Sequence, residues 1–200
     1  MTELYTGPKF KTVFVHQHPP KHKGIAELAF WCSKFHLSGL TPAHQTGTAG
    51  NLSFRNTAEN NSFIITRAGL KVKEKLSNAQ FVLVKHCDIQ KKIVYAEGTG
   101  YPSSESMMHY AIYSKLPEIT AVFHGHHQNI LAHVQVLNIP VTDNDCEYGS
   151  TELIESIMPL LGRYAFFIIR EHGFISLGRT MDEAGNQTLD VLKKTESFIG

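Results

Sequence analysis

The chain has 200 residues, 42% apolar and 18% charged, and its 19 lysines and arginines nearly balance 18 aspartates and glutamates. A chain of this length buries roughly 70% of the surface it exposes when unfolded, so its core needs no disulfide or structural metal. The composition excludes a disordered tail and a generic polyanion binder, and nucleic acid is not expected as a partner.

No apolar run approaches the ~18 residues of a membrane span, so no membrane partner is expected. The start, Met1 to Lys23, has no apolar stretch of secretory length, which points to a cytoplasmic protein. Cys32, Cys87 and Cys146 are odd in number and fit neither a disulfide framework nor a Cys-x-x-Cys site, so they read as reduced and structural. Twelve histidines stand out, half of them between His86 and His133.

Neither a linker nor a repeat interrupts the pattern, so one domain is expected over residues 1–200. Ile25, Leu28, Ala29, Cys32 and Phe35 recur at helical steps and predict a first helix from about Lys23 to Leu37, stopped by Gly39. Leu52 to Phe54, Ser62 to Thr66, Gln80 to Val84 and Lys92 to Tyr95 are short runs rich in β-branched and aromatic residues, and they predict an antiparallel sheet. Pro102 and Ser103 open a second helix with Ser103 as N-cap and Glu105 in its first turn, and Pro117 ends it. Ile119 to Phe123 reads as a buried strand, followed by a helix to about Leu137 and another from Ser150 to Leu161. Tyr164 to Ile169 and Gly173 to Leu177 are paired strands, and Thr180 with Glu183 forms a capping box for a last helix to about Phe198. The sum is an α/β fold of three layers, with helices on both faces of one sheet.

Three segments carry polar residues that packing does not require: Gly50-Asn51-Leu52-Ser53, Gly100-Tyr101-Pro102-Ser103-Ser104-Glu105, and His124-Gly125-His126 with the distant Glu171-His172-Gly173. Residues two apart in an extended segment point to the same side, so His124 and His126 can converge on one ion, with Gly125 leaving room and His172 adding a third imidazole. Three neutral nitrogens with one open position is the zinc arrangement of a catalytic site. Glu105 lies at a helix start beside Ser103 and Ser104, where unpaired N–H groups favour an anion. A substrate phosphate could use Ser103, Ser104, the amide of Asn51 and the backbone at Gly69, with Lys71 or Arg67 adding charge. Taken alone, His-x-His arises by chance in a histidine-rich chain, and Pro-Ser-Ser-Glu is simply a good helix start. His109 and the histidines before it read as surface or packing residues.

In this order, the segments resemble the class II aldolase/adducin family. The likeness runs from about Gly24 to Met181 through Gly50-Asn51-Leu52-Ser53-Phe54-Arg55, Ile65-Thr66-Arg67-Ala68-Gly69, Glu97-Gly98, Pro102-Ser103-Ser104-Glu105, Ala121-Val122-Phe123-His124-Gly125-His126 and Glu171-His172-Gly173. The resemblance implies a three-layer α/β/α fold with a largely antiparallel mixed sheet. It also implies zinc on His124, His126 and His172, with Glu105 as acid/base and possible fourth ligand. Asn51, Gly69, Ser103 and Ser104 would then hold substrate phosphate, and a homotetramer would carry its sites at subunit interfaces. Two departures stand out. Ala68 occupies a place where family aldolases often carry Thr, so a hydroxyl donor is lost. Tyr148, the counterpart of a tyrosine donated by the neighbouring subunit, lies three residues later than usual.

Aldol cleavage must stabilise an enediolate, and a divalent metal does so without a Schiff-base lysine. The expected activity is therefore zinc-dependent cleavage of a ketose 1-phosphate, of the fuculose 1-phosphate kind, to dihydroxyacetone phosphate and an aldehyde. Glu105 and Tyr148 would carry the protons. A dehydratase of the methylthioribulose-1-phosphate type, a sugar-phosphate 4-epimerase and a non-enzymatic adducin-like module are the alternatives. Epimerases usually carry Asp at the position of Glu105, and adducin-like members lack the histidines.

Overall fold

A computed structural model of the protein describes residues 7–57 and 61–198. In chain order the elements are β1 (Lys11–His16), α1 (Ile25–Leu37), β2 (Ala43–His44), β3 (Gly47–Thr48), β4 (Asn51–Arg55), β5 (Phe63–Thr66), β6 (Phe81–Asp88), β7 (Ile93–Glu97), α2 (Ser106–Lys115), β8 (Ala121–Gly125), α3 (Gln128–Ala132), α4 (Thr151–Ile157), β9 (Phe166–Ile169), β10 (Gly173–Gly178) and α5 (Met181–Glu196). Among the described residues eight strands form one sheet in the order β1-β7-β6-β5-β4-β8-β10-β9, and β2 and β3 make a separate small hairpin. Every pair in the large sheet is antiparallel except β1 with β7. The α/β fold with a largely antiparallel mixed sheet is thus as the sequence predicts.

Side chains alternate across the sheet and both faces are covered, so successive residues of a strand such as Ala121, Val122 and Phe123 are all buried. Ile65, Val84, Val122, Phe167 and Ile175 face α2 and α4 through Met107, Met108, Ile112, Leu153 and Ile157. Leu52, Phe54, Ile64, Phe123 and Phe174 face the other layer, where Leu28, Trp31 and Phe35 of α1, Ile130 of α3, and Ala184 of α5 pack. Among the described residues no helix is long and apolar enough to cross a membrane. The three cysteines are free, two of them buried.

Four expectations need correction. The second helix begins at Ser106, because Ser103 and Ser106 close a tight turn through the Ser103 carbonyl; Glu105, not Ser103, takes the N-cap position, and its side chain makes no capping bond. The helix expected to reach Leu137 ends at Ala132, where the His133 ring occupies the Asn129 carbonyl. The helix capped by Ser150 stops at Ile157, since Pro159 brings no N–H and clashes with the preceding turn. The Glu183 carboxylate reaches the amide of Arg179 rather than that of Thr180, although Thr180 itself caps the helix as expected. Strand β1 and the β2/β3 hairpin lack the alternation that would announce them, and the sequence did not predict them.

Candidate metal centre

Three adjacent strands bring the site together. In the register of the sheet Asn51 of β4 lies opposite His124 of β8, and Gly125 lies opposite Phe174 of β10, so His172 emerges beside His124 and His126 at one sheet end. The N-terminus of α2 delivers Glu105 from the layer above. His124, His126 and His172 each offer a ring nitrogen within 4.8 Å of the others, and His124 and His172 stack with centroids 5.1 Å apart.

Glu105 ties the cluster together. Its Oε2 lies 3.0 Å from His124 Nε2, and its Oε1 lies 2.7 Å from His172 Nε2. Asn51 Nδ2 donates to Oε2 at 2.7 Å. Burial alone would raise the Glu105 carboxyl, but the charge and hydrogen bonds of His124 and His172 outweigh it and hold the group well below the carboxylate range. The His126 pKa is also lowered, but by a different cause: burial first, then its histidine neighbours, pushes it well below the ordinary histidine value and keeps it neutral.

These groups fit a divalent cation. His124 Nδ1 donates to the Phe174 carbonyl at 2.8 Å, which fixes the ring and turns Nε2 toward His126 Nε2, 2.9 Å away. Three imidazoles converging beside one buried carboxylate are a donor set that suits a divalent metal, whose positive charge would offset the negative charge of Glu105.

Glycines make the close approach possible, though not as the sequence suggested. A Cβ on Gly125 would lie 2.7 Å from the Leu40 carbonyl and would clash with the edge of the Phe174 ring, so this glycine admits protein rather than the ion. The ligand-facing glycine is Gly173, where a Cβ would sit 2.8 Å from His124 Cε1 and 3.2 Å from His126 Cδ2.

Ser103 and Ser104 are buried beside Glu105. The Arg67 to Pro102 bridge and the bond from Ala68 N to the Tyr101 carbonyl bring the Gly69 turn alongside them. Gly69 has φ +72°, and nothing lies within 4 Å of where its Cβ would stand. Of the cations proposed for this end, Lys71 is exposed, and the Arg67 Nε is buried without a hydrogen bond. Tyr148 is only 6% exposed; its hydroxyl donates to the Gly7 carbonyl at 3.3 Å, and Lys9 Nζ covers its ring at 3.9 Å. The adjacent Gly149 packs on the Ser104 carbonyl, while Asp145 is exposed.

Two residues at the site were missed. Lys73, 2% exposed, donates to the carbonyls of Ala49 at 2.9 Å and Gly50 at 2.7 Å, and burial lowers its pKa to about 8 against the raising pull of Cys32 and Glu105. His109, fully buried on α2, meets Ser53 Oγ at 2.7 Å, and burial pushes it down to about 3, so it is neutral. A lysine in a run of alternating lysines carries no signal of burial. For His109 the helical spacing of four from Glu105 was the available signal.

The family model described as class II aldolase and adducin N-terminal domain matches residues 26–194. The chain belongs to the class II aldolase/adducin family. Among its relatives is a methylthioribulose-1-phosphate dehydratase of Pseudoalteromonas translucida, 28% identical over 173 residues, covering 73% of this chain and 77% of that one. A 5-methylthioribulose-1-phosphate/5-deoxyribulose-1-phosphate aldolase of Escherichia coli is also 28% identical, over 183 residues, covering 84% of this chain and 77% of that one. A solved L-fuculose 1-phosphate aldolase superposes with a TM-score of 0.72 at 22% identity, over 91% of this chain and 87% of that one.

Proposed function

We propose that the protein is a metal-dependent lyase of ketose 1-phosphates that cleaves its substrate to dihydroxyacetone phosphate and an aldehyde. The observation that carries this reading is the contact of the Glu105 carboxylate with His124 and His172 inside a three-imidazole site. A zinc ion held by His124, His126 and His172 would supply positive charge to neighbouring substrate oxygens and make the proton beside the ketone more acidic.

Glu105 is the proton carrier. In the condensation direction it takes a proton from C3 of dihydroxyacetone phosphate, C3 bonds to the aldehyde carbon, and the aldehyde oxygen receives a proton from a second donor; cleavage is the reverse. Being ionised well below neutrality, Glu105 begins condensation as a base. Gly69, Ser103 and Ser104 frame the phosphate end, and Asn51 is hydrogen-bonded to Glu105. The second donor is Tyr148, which by family resemblance comes from a neighbouring subunit of a homotetramer. In mixtures of His172→Ala and Tyr148→Phe chains, regained activity supports sharing between subunits. No gain supports donation within one chain, which the packing of Gly149 on Ser104 makes the competing outcome.

The dehydratase relative favours a second reading with the same residues: Glu105 takes the C3 proton while the 4-hydroxyl leaves as water. Incubating the zinc-loaded enzyme separately with 5-methylthioribulose, 5-deoxyribulose and fuculose 1-phosphates decides between them. Release of dihydroxyacetone phosphate is the expected result. A diketone phosphate without it assigns dehydration, and no turnover of any of the three overturns both readings.

A further inference from the structure

Asn51, Ser53 and Arg55 share one face of β4 and meet α2 at successive positions along its length, Tyr113 being shared by Ser53 and Arg55. Asn51 Nδ2 donates to Glu105 Oε2 at 2.7 Å. Ser53 Oγ lies 2.7 Å from His109 Nδ1 and 2.8 Å from the Tyr113 hydroxyl. Arg55 Nη2 donates to the carbonyls of Tyr113 at 2.7 Å and Leu116 at 3.0 Å. Two residues of strand advance about 6.6 Å and four residues of helix about 6 Å, so strand and helix stay in step over three rungs.

The first two rungs close a ring. The carboxylate of Glu105 is held by Asn51, two residues of strand lead to Ser53, Ser53 binds the His109 imidazole, and the His109 amide donates back to the Glu105 carbonyl at 3.1 Å. Glu105 needs such a tether. It stands at the N-cap with φ −100° and ψ 15°, where its carbonyl takes the first bond of the helical ladder but its side chain makes no capping bond that would fix it locally. His109 is fully buried and packs on the Phe63 ring at 6.2 Å, so its own place is set by the core.

We propose that His109 is a positioning residue for Glu105, fixing through Ser53 the rotation of the first turn of α2 that aims the carboxylate at His124 and His172. The proposal rests on the metal reading of the site. Groups one step behind a metal site typically change its affinity 10 to 100-fold when removed. His109→Leu removes the bond to Ser53, whereas His109→Asn keeps a polar atom near the position of Nδ1.

The test is zinc affinity by chelator competition, with zinc alone as the probe, in wild type, His109→Leu, His109→Asn and the same changes on a Glu105→Gln background. The expected result is affinity about tenfold weaker in His109→Leu, restored to within about threefold in His109→Asn, and no further effect of His109→Leu once Glu105 is Gln. An equal loss on both backgrounds makes His109 a packing residue and overturns the proposal, as does unchanged affinity in His109→Leu. Should His109→Leu fail to fold, Ser53→Ala cuts the same bond from the strand side and is expected to give the same pattern. Wild-type protein that binds no zinc overturns the metal reading and this proposal with it, whereas tight wild-type binding with the wrong mutant pattern overturns this proposal alone.

Discussion

Asn51 gives its side-chain N–H to the Glu105 carboxylate at 2.7 Å, so a residue expected at the substrate phosphate is engaged with the proposed proton carrier. That bond stabilises the ionised carboxylate. Replacing Asn51 by Asp exchanges a donor for a second negative charge about 3 Å away, which disfavours ionisation of both. The folded-state pKa of Glu105 lies well below its ordinary value, so activity that needs the carboxylate ionised fades only at low pH. In Asn51→Asp the acid limb of kcat/KM should move upward by a unit or more. A limb that stays in place would show that Asn51 does not tune Glu105.

Glu105→Gln keeps the size of the side chain and removes the ionisable oxygen. Turnover should fall by roughly 10²-fold or more, since a positioned proton carrier typically contributes that much, while the histidines still bind metal. Single-turnover rates alongside elemental analysis of the same sample check both halves. Activity within a few-fold of wild type would move the role to another group.

The centre should hold one divalent metal per chain, and Gly173 offers a test that leaves all ligands in place. A Cβ there falls 2.5 Å from the Gly125 carbonyl and 2.8 Å from His124 Cε1. Gly173→Ala must therefore push β10 away from β8 or rotate His124, and metal content should drop toward that of a His124→Ala, His126→Ala variant. Full metal occupancy in Gly173→Ala, measured by elemental analysis, would mean that the strand pair yields without disturbing the ligands.

How far the site could be read from sequence depended on whether its geometry is local. His124 and His126 converge because strand residues two apart share a side, a rule that needs no knowledge of the fold. Glu105 at a helix start was legible for the same reason, although its side chain turns to two histidines instead of capping α2. The engagement of Asn51 with Glu105 and of Ser53 with His109 is different in kind. It depends on β4 and α2 running side by side in step, and the chain separates the paired residues by 54 and 56 positions. The central strands were visible because burial on both faces demands continuous apolar runs. Strand β1, with most of its residues half-buried or exposed, had no such demand on its sequence.

Lys73 provides a prediction independent of catalysis. Its ammonium is buried, with the carbonyls of Ala49 and Gly50 as hydrogen-bond acceptors, and burial lowers its pKa from 10.5 to about 8. Below pH 8 both folded and unfolded chains carry the proton, and the folded state bears the full cost of a charge taken from water. Between about 8 and 10.5 the folded chain has lost that proton while the unfolded chain keeps it, so this residue makes stability rise with pH, by up to about 1.4 kcal/mol per pH unit. Other groups act oppositely there; the buried thiol of Cys32, pushed up to about 12, stays protonated when folded and costs stability above its unfolded value of 9.0. Subtracting a Lys73→Met variant removes those shared contributions. Urea unfolding at pH 7.5 and 9.5 should show wild type gaining about 2 kcal/mol relative to Lys73→Met, whatever the offset between the two at neutral pH. A difference that stays flat across that range would mean that Lys73 keeps its proton in the folded protein, held by the Ala49 and Gly50 carbonyls and the negative charge of Glu105.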